Sequence, residues 1–123
     1  MASRVMKPSI HLVDDDDAVR DSLDAYLTLK GMKVAAFGSA REALQHMSDM
    51  PDIIIVDVNM PDIDGFRLFE MLRDQGANMP IIFITGLGDA EMRLHAQRIG
   101  VSAFLDKPIN PTHLLATLNW LLV

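Results

Sequence analysis

The apolar run IIIV at residues 53–56 has no polar residue at alternate positions, and Asp57 follows it directly. A strand with one face in water alternates polar and apolar side chains, so an unbroken run indicates a strand that is covered on both faces. Such strands occupy the middle of parallel sheets that carry helices on each side. The run PIIFIT at residues 80–85 has the same character. Together the two runs predict an α/β fold around a parallel sheet.

Strands and helices alternate along the rest of the sequence. The other three strands are predicted at residues 10–13, 33–37 and 103–105. Apolar residues at helical spacing and capping signals predict five helices between and after the strands. The residues that mark these helices are Val19, Leu23, Tyr26, Leu27 and Lys30 before Gly31; Ser39, Glu42, Ala43, Leu44 and Met47; Phe66, Phe69, Met71 and Leu72 before Gly76; Met92, Leu94, Ala96 and Ile99 before Gly100; and Asn110, Pro111, Leu114, Leu115, Leu118 and Leu122.

This alternation predicts a doubly wound, five-stranded parallel sheet in the flavodoxin-like order 2-1-3-4-5, with helices on both faces.

A length of 123 residues suits one domain, which we expect to extend over residues 1–123. A net charge of −6 argues against nucleic-acid binding by the domain itself. The chain has no cysteine, which excludes disulfides and thiolate sites. We find no export signal or membrane-spanning run, and therefore expect a cytoplasmic location without membrane contact.

Carboxylates follow two of the predicted strands at the points where the strands end. Asp14 and Asp15 follow the strand at 10–13, and Asp57 follows the strand at 53–56. In the order 2-1-3-4-5 these strands are neighbours roughly 5 Å apart. Three carboxylates therefore crowd one spot, which is unfavourable unless a cation or a proton lies among them. Mg²⁺ is the natural cation, because it binds one or two carboxylates and leaves room for a phosphoryl oxygen.

A hydroxyl and an ammonium are predicted at the same edge of the sheet. Thr85 ends the fourth strand, and Lys107 follows the fifth. With the cation, they suit an anion that forms beside Asp57, such as a phosphoryl group transferred to its oxygen. Lys107 and the cation would neutralise that group, and Thr85 would donate a hydrogen bond to it.

Four motifs at strand ends resemble the receiver domain of two-component response regulators. They are VDDDD, VDVNMPDIDG, ITG and FLDKPI, in this order, and the resemblance covers the chain from about Ser9 to the last helix. The segments IHLVDDDDAVRDSL and IIFITGLGDAEMRLHAQRIGVSAFLDKPI are most similar to receivers of the FixJ type. Those receivers usually precede a helix-turn-helix output domain, which we expect to be absent from this chain. The resemblance implies a signalling domain and not an enzyme, controlling transcription through that missing output domain.

The resemblance also implies roles for the acidic residues. Asp57 would be the aspartate that a sensor histidine kinase phosphorylates. Asp14 and Asp15 would be the acidic pair, with Asp15 the more direct Mg²⁺ ligand. The backbone carbonyl of Asn59 would be a further ligand, beside Asp57 itself.

The resemblance further implies a switch. Lys107 would reach the phosphoryl group or Asp57, with a cis peptide bond before Pro108. Thr85 and Phe104 would be the paired switch residues, whose movement changes the surface formed by helix 4, strand 5 and helix 5. Similar receivers commonly form homodimers through that surface. The chain departs from the usual pattern in two details, because Phe104 has no hydroxyl and the apolar Leu87 stands two residues after Thr85.

Other interpretations remain at this point. One is a single-domain regulator that acts by protein contact, and another is an interaction module that never turns over phosphate. A third is a Mg²⁺-dependent phosphatase, although Asn59 stands where such an enzyme would want a second acid. A calcium loop fails because Asp62 and Leu68 replace its glycine and glutamate. A dinucleotide site in GLGDAE fails because Glu91 would repel a pyrophosphate.

The remaining aspartates near the motifs have a simpler interpretation. We expect Asp16 and Asp17 to cap the first helix, where the helix dipole favours negative charge. Asp62 and Asp64 are expected to be solvated loop residues. Gly65 is expected to serve the turn into the third helix through its backbone.

Overall fold

Strands and helices alternate in the computed structural model, which describes residues 7–123. Residues 1–6 of the predicted domain therefore lie outside the described range. The strands are β1 (Ser9–Val13), β2 (Lys33–Phe37), β3 (Ile53–Asp57), β4 (Ile81–Thr85) and β5 (Ala103–Asp106). The helices are α1 (Asp17–Leu29), α2 (Ala40–Leu44), α3 (Gly65–Asp74), α4 (Ala90–Ile99) and α5 (Pro111–Leu121).

The sheet is parallel throughout and has the order β2-β1-β3-β4-β5. This confirms the predicted order. The register places Val13 of β1 beside Val56 of β3, so the residues that follow these two positions emerge side by side. Thr85 of β4 likewise lies beside Asp106 of β5. The register therefore brings the carboxyl ends of the four strands to one edge of the sheet.

Two hydrophobic clusters lie on opposite faces of the sheet. The first contains buried residues of α2, α3 and α4, and the second contains buried residues of α1 and α5. All five residues of β3 and of β4 are buried, as expected for strands covered on both faces. Among the described residues, no helix is long and apolar enough to cross a membrane.

Every helix begins with a side chain that accepts a hydrogen bond from the first turn, which offers unpaired backbone N–H groups. The N-cap residues are Asp16, Ser39, Asp64, Asp89 and Asn110. The expectation that Asp16 and Asp17 cap α1 holds for Asp16, whereas Asp17 is its first residue. Asp64 was expected to be only solvated, and that is wrong because its carboxylate accepts a hydrogen bond from Arg67 N.

Leu94, a predicted apolar position of α4, lies outside the cores and is 46% exposed. Met47 follows the end of α2 but packs against the first cluster. Leu114 and Leu118 bury one side of α5, whereas Trp120 on the same helix is 77% exposed. The described part of the chain thus leaves an apolar surface on α5 that the sheet does not cover.

His11 is a buried polar residue that sequence reasoning gave no role. Its ring packs edge-on against Phe37 at 5.1 Å, and Phe37 lies 5.1 Å from the ring of His46. Within residues 7–123, the buried His11 Nδ1 has no hydrogen-bond partner. Burial lowers the pKa of His11, the nearby His46 lowers it further, and Asp49 partly opposes these effects. His11 is therefore held in its neutral form.

This burial predicts a pH dependence of stability. The unfolded chain gains a proton on His11 near its ordinary pKa of 6.5, whereas the folded chain resists protonation. The free energy of unfolding should therefore fall by about 1 kcal/mol from pH 7.5 to 5.5 because of this group. Urea unfolding of the wild type and of His11→Leu at both pH values measures the effect. Equal pH dependence in the two proteins would contradict it.

Candidate functional site

Three aspartates meet at the carboxyl ends of β1 and β3. Asp14 is fully buried, Asp57 is 4% exposed, and Asp15 is exposed. One carboxylate oxygen from each of the three lies within 4.8 Å of the others. The register of β1 with β3 explains the meeting, because Val13 and Val56 are paired and Asp14 and Asp57 are the residues that follow them. The predicted convergence of these carboxylates is therefore present.

Short local turns orient two of the carboxylates. Asp14 Oδ1 accepts a hydrogen bond from Asp16 N at 2.9 Å, and Asp57 Oδ1 accepts one from Asn59 N at 3.0 Å. Aspartates commonly bond a backbone N–H two residues ahead, which replaces the next rung of the strand. Each carboxylate is thus held through one oxygen, which leaves the space between the two second oxygens, Asp14 Oδ2 and Asp57 Oδ2, for a further group.

Lys107 spans that space from the loop after β5. Its Nζ donates a hydrogen bond to Asp57 Oδ2 at 3.0 Å and lies 3.0 Å from Asp14 Oδ2. Burial lowers the pKa of the Lys107 ammonium, but its contacts with Asp14 and Asp57 outweigh burial and raise the pKa above the ordinary value. The peptide bond from Lys107 to Pro108 is cis, as the resemblance implied. Lys107 is therefore a fixed positive charge between two buried carboxylates.

The site retains unbalanced negative charge. Burial raises the pKa of Asp14 and the charge of Asp57 raises it further, whereas Asp16 N and Lys107 only partly oppose this. Asp14 Oδ2 contacts Lys107 as an ion pair but makes no hydrogen bond of acceptable geometry within the described residues. One ammonium faces three carboxylates, and all the donor atoms are oxygens. This donor set fits a hard divalent cation such as Mg²⁺.

Thr85 lies beside this acidic cluster at the end of β4. It is fully buried, and its hydroxyl donates a hydrogen bond to Asn59 Oδ1. The same hydroxyl accepts a hydrogen bond from Leu87 N at 3.1 Å. The sequence predicts a metal ligand in the backbone carbonyl of Asn59, but it does not predict this bond from Thr85 to the Asn59 side chain. The signal was weak, because a pairing across 26 residues has no local pattern.

Phe104 of β5 is half-buried and lies under a guanidinium. Arg93 of α4 places its Cζ 4.7 Å from the ring centroid and its Nη2 2.5 Å from Asp106 Oδ2. Its Nη1 also lies 3.4 Å from the carbonyl oxygen of Phe104. The sequence analysis did not find Arg93, because nothing local links α4 to β5. The ring of Phe104 is thus covered by a cation–π contact.

The loop after β3 approaches the site closely. A Cβ atom on Gly65 would lie 2.8 Å from Val58 Cα and 3.2 Å from the carbonyl oxygen of Asp57. The expected backbone role of Gly65 is therefore explained by lack of space. Asp62 has a φ of 70° and forms an ion pair with Arg41 of α2, so this exposed residue is more than a solvated loop aspartate.

The family model for the response regulator receiver domain matches residues 10–119. The chain belongs to this family. It is therefore a signalling domain of the receiver type, and its acidic cluster lies where receiver domains bind Mg²⁺.

Several relatives are transcriptional regulators. The transcriptional regulatory protein FixJ of Azorhizobium caulinodans is 36% identical over 89% of this chain and 53% of its own length. The C4-dicarboxylate transport transcriptional regulatory protein DctD of Pseudomonas aeruginosa is 40% identical over 85% of this chain and 23% of its own length. The chain thus spans about half of the FixJ relative and under a quarter of DctD.

Solved structures with a similar fold support the same family. The FixJ-N structure has a TM-score of 0.84 and 33% identity, and covers 94% of both chains. The chemotaxis protein CheY4 of Vibrio cholerae has a TM-score of 0.88 and 31% identity, over 94% of this chain and 99% of its own. The FixJ relatives and the FixJ-N structure support the assignment of this receiver to the FixJ type.

The close approach of Gly65 predicts a substitution effect. Gly65→Ala should lower the free energy of unfolding by about 1–3 kcal/mol, because its methyl group displaces the backbone of Val58 beside Asp57. Chemical denaturation measures this difference. Gly86→Ala is the matched control, because its Cβ would meet only Lys107 side-chain atoms at 3.9 Å. An equal loss in both variants would contradict the steric explanation.

Proposed function

We propose that Asp57 accepts a phosphoryl group from a sensor histidine kinase, with Mg²⁺ held beside it. The observation that carries the proposal is the convergence of Asp14, Asp15 and Asp57 with the ammonium of Lys107, 3.0 Å from two of them. The Mg²⁺ ligands in this proposal are these three carboxylates and the backbone carbonyl of Asn59. Membership of the receiver family supports both the metal and the kinase.

The proposed chemistry is a phosphoryl transfer. A carboxylate oxygen of Asp57 forms a bond to phosphorus, and the bond from phosphorus to the donor breaks, so that the donor leaves with its electron pair. Bound Mg²⁺ would neutralise charge on the transferred oxygens. Lys107 already lies against Asp57 Oδ2 and supplies a second positive charge without leaving its loop. Water later hydrolyses the aspartyl phosphate, so the domain resets itself and turns over no other substrate.

The proposed switch begins at Thr85. In the described state its hydroxyl is bonded to Asn59 Oδ1. A phosphoryl group on Asp57 offers a charged acceptor, and hydrogen bonds to charged groups are stronger than those to an amide. Thr85 then leaves Asn59, and the ring of Phe104 turns into the space that Thr85 vacates. These movements alter the surface of α4, β5 and α5.

A groove beside Lys107 is suited to receive part of the kinase. A groove of about 280 Å³ opens between α1 and the loop after β5. Its lining is mostly apolar and includes Val19, Leu23, Pro108 and Ile109, together with Lys107. A helix of the kinase seated there would bring its phosphohistidine to the same end of the sheet as Asp57.

The proposed output is transcriptional. The FixJ and DctD relatives are transcriptional regulators, and each is longer than this chain. We place the domain in the cytoplasm, where it controls transcription through an output domain outside this sequence. When Asp57 is phosphorylated, the surface of α4, β5 and α5 would pair two copies of the domain. The domain itself would not contact nucleic acid.

Phosphorylation is tested with a small phosphodonor and Mg²⁺. Intact-mass measurement should find one added phosphoryl group on the wild type and none on Asp57→Asn, which lacks the nucleophilic oxygen. Chelation of the metal should abolish the addition. Asp62→Asn is the matched control and should be labelled like the wild type, because Asp62 pairs with Arg41. Labelling that persists in Asp57→Asn would contradict the assignment of Asp57 as the phosphoryl acceptor.

Dimerisation is tested with beryllofluoride, which mimics a phosphoryl group. Light scattering should find the mass of a dimer when beryllofluoride and Mg²⁺ are present and of a monomer when they are absent. Asp57→Asn should remain a monomer under both conditions. A wild-type protein that binds beryllofluoride and stays monomeric would remove the dimer from the proposal while leaving phosphorylation intact.

A further inference from the structure

Arg20 of α1 reaches back over the loop that carries the acidic pair. Its Nη1 donates a hydrogen bond to the carbonyl oxygen of Asp14 at 2.7 Å. Its Nη2 lies 2.5 Å from Asp17 Oδ1. The Arg20 side chain is only 18% exposed, although arginine usually lies in water. One guanidinium therefore ties α1 to Asp14, the residue that follows β1.

The peptide unit held by Arg20 is the one between Asp14 and Asp15. Asp14 N donates to Phe37 O at 3.1 Å, and the Asp14 carboxylate accepts from Asp16 N. Arg20 adds the third restraint, on the carbonyl oxygen. Asp15 has none of its own, because its carboxylate makes no hydrogen bond or ion pair with any residue in 7–123. The backbone position of Asp15 is thus restrained by the peptide plane that Arg20 holds.

The guanidinium of Arg20 packs closely against Gly38. A Cβ atom on Gly38, in the loop after β2, would lie 3.4 Å from Arg20 Nη1 and 3.8 Å from Cζ. The guanidinium thus lies on the bare backbone of Gly38. Its hydrogen bond to Asp17 and the charges of Asp17, Asp21 and Asp14 raise the pKa of Arg20, so it stays charged. Arg20 is a permanent cation in a fitted position.

We infer that Arg20 is a positioning residue for the divalent-cation site, which it supports through the carbonyl of Asp14 without touching the metal. This inference rests on the Mg²⁺ site proposed above. Residues that orient metal ligands from behind typically change metal affinity by 10–100-fold when they are replaced. Arg20 has the geometry of such a residue, because its two N–H groups fix both ends of the loop from Asp14 to Asp17.

The charge of Arg20 by itself would have the opposite effect on Mg²⁺ affinity. Arg20 is a cation near a cation site, so its removal would strengthen Mg²⁺ binding if repulsion dominated. The ion pair with Asp17 offsets part of that repulsion, whereas it leaves the hydrogen-bonded orientation of the loop in place. The sign of the change in affinity therefore separates the two effects.

The test compares the wild type with Arg20→Met, which removes charge and hydrogen bonds, and Arg20→Lys, which keeps the charge but loses the planar fork. Calorimetric titration with Mg²⁺ should give dissociation constants about tenfold higher in both variants. Arg67→Met is the control, because Arg67 pairs with Glu70 on α3 and its loss removes the same charge. Arg67→Met should bind Mg²⁺ like the wild type at 0.5 M salt.

A second measurement separates positioning from general damage. The rate of phosphorylation by a small phosphodonor, followed against Mg²⁺ concentration, should reach the wild-type maximum in Arg20→Lys but need more Mg²⁺. A reduced maximum with unchanged Mg²⁺ dependence would overturn the inference, as would tighter Mg²⁺ binding in Arg20→Met. If Arg20→Met does not fold, Arg20→Lys decides alone. A wild-type protein that binds no Mg²⁺ would defeat the proposed function itself.

Discussion

The ammonium of Lys107 makes it possible for two buried carboxylates to share one edge of the sheet. Asp14 and Asp57 are almost without solvent, and each lies 3.0 Å from Lys107 Nζ. Carboxylates in such a position repel each other and lose hydration, and only nearby positive charge compensates both effects. One ammonium against three carboxylates leaves a deficit. That deficit supports the proposed binding of a divalent cation and, beside the cation, of a phosphoryl group.

The surroundings of the site hold it in one arrangement. Asn59 engages the hydroxyl of Thr85 on one side, and Arg93 covers the ring of Phe104 on the other. Neither contact involves Asp57 directly, so each can change partner while the acidic cluster stays in place. In the proposed switch, a charged acceptor at Asp57 would compete with a neutral amide for Thr85, and this difference in hydrogen-bond strength would favour a second arrangement. The ion pair of Arg93 with Asp106 is largely exposed and adds only a modest cost to that change.

Most of the fold could be predicted from sequence because its signals are local. The unbroken run at 53–56 indicated a central strand, and the caps at Ser39 and Asn110 marked helix starts by type and position. Parallel topology then brought Asp14, Asp15 and Asp57 together. What could not be predicted were pairings between distant segments, such as Thr85 with Asn59 and Arg93 with Phe104. Arg20 was missed for another reason, since its spacing from Asp17 resembles an ordinary surface pair on a helix.

The two hydrophobic clusters are separated by the sheet and share no buried side chain. Asp14, Asp57, Thr85 and Lys107 belong to the strands or the loops at their ends. A cavity made by a substitution in the cluster under α1 and α5 therefore cannot be filled by side chains of the cluster under α2, α3 and α4. Substitutions in the helices of the two layers should be nearly additive, since the sheet lies between them. Each helical layer can thus acquire new outward-facing residues, for a different kinase or a different output, while the chemistry at the sheet edge is inherited unaltered.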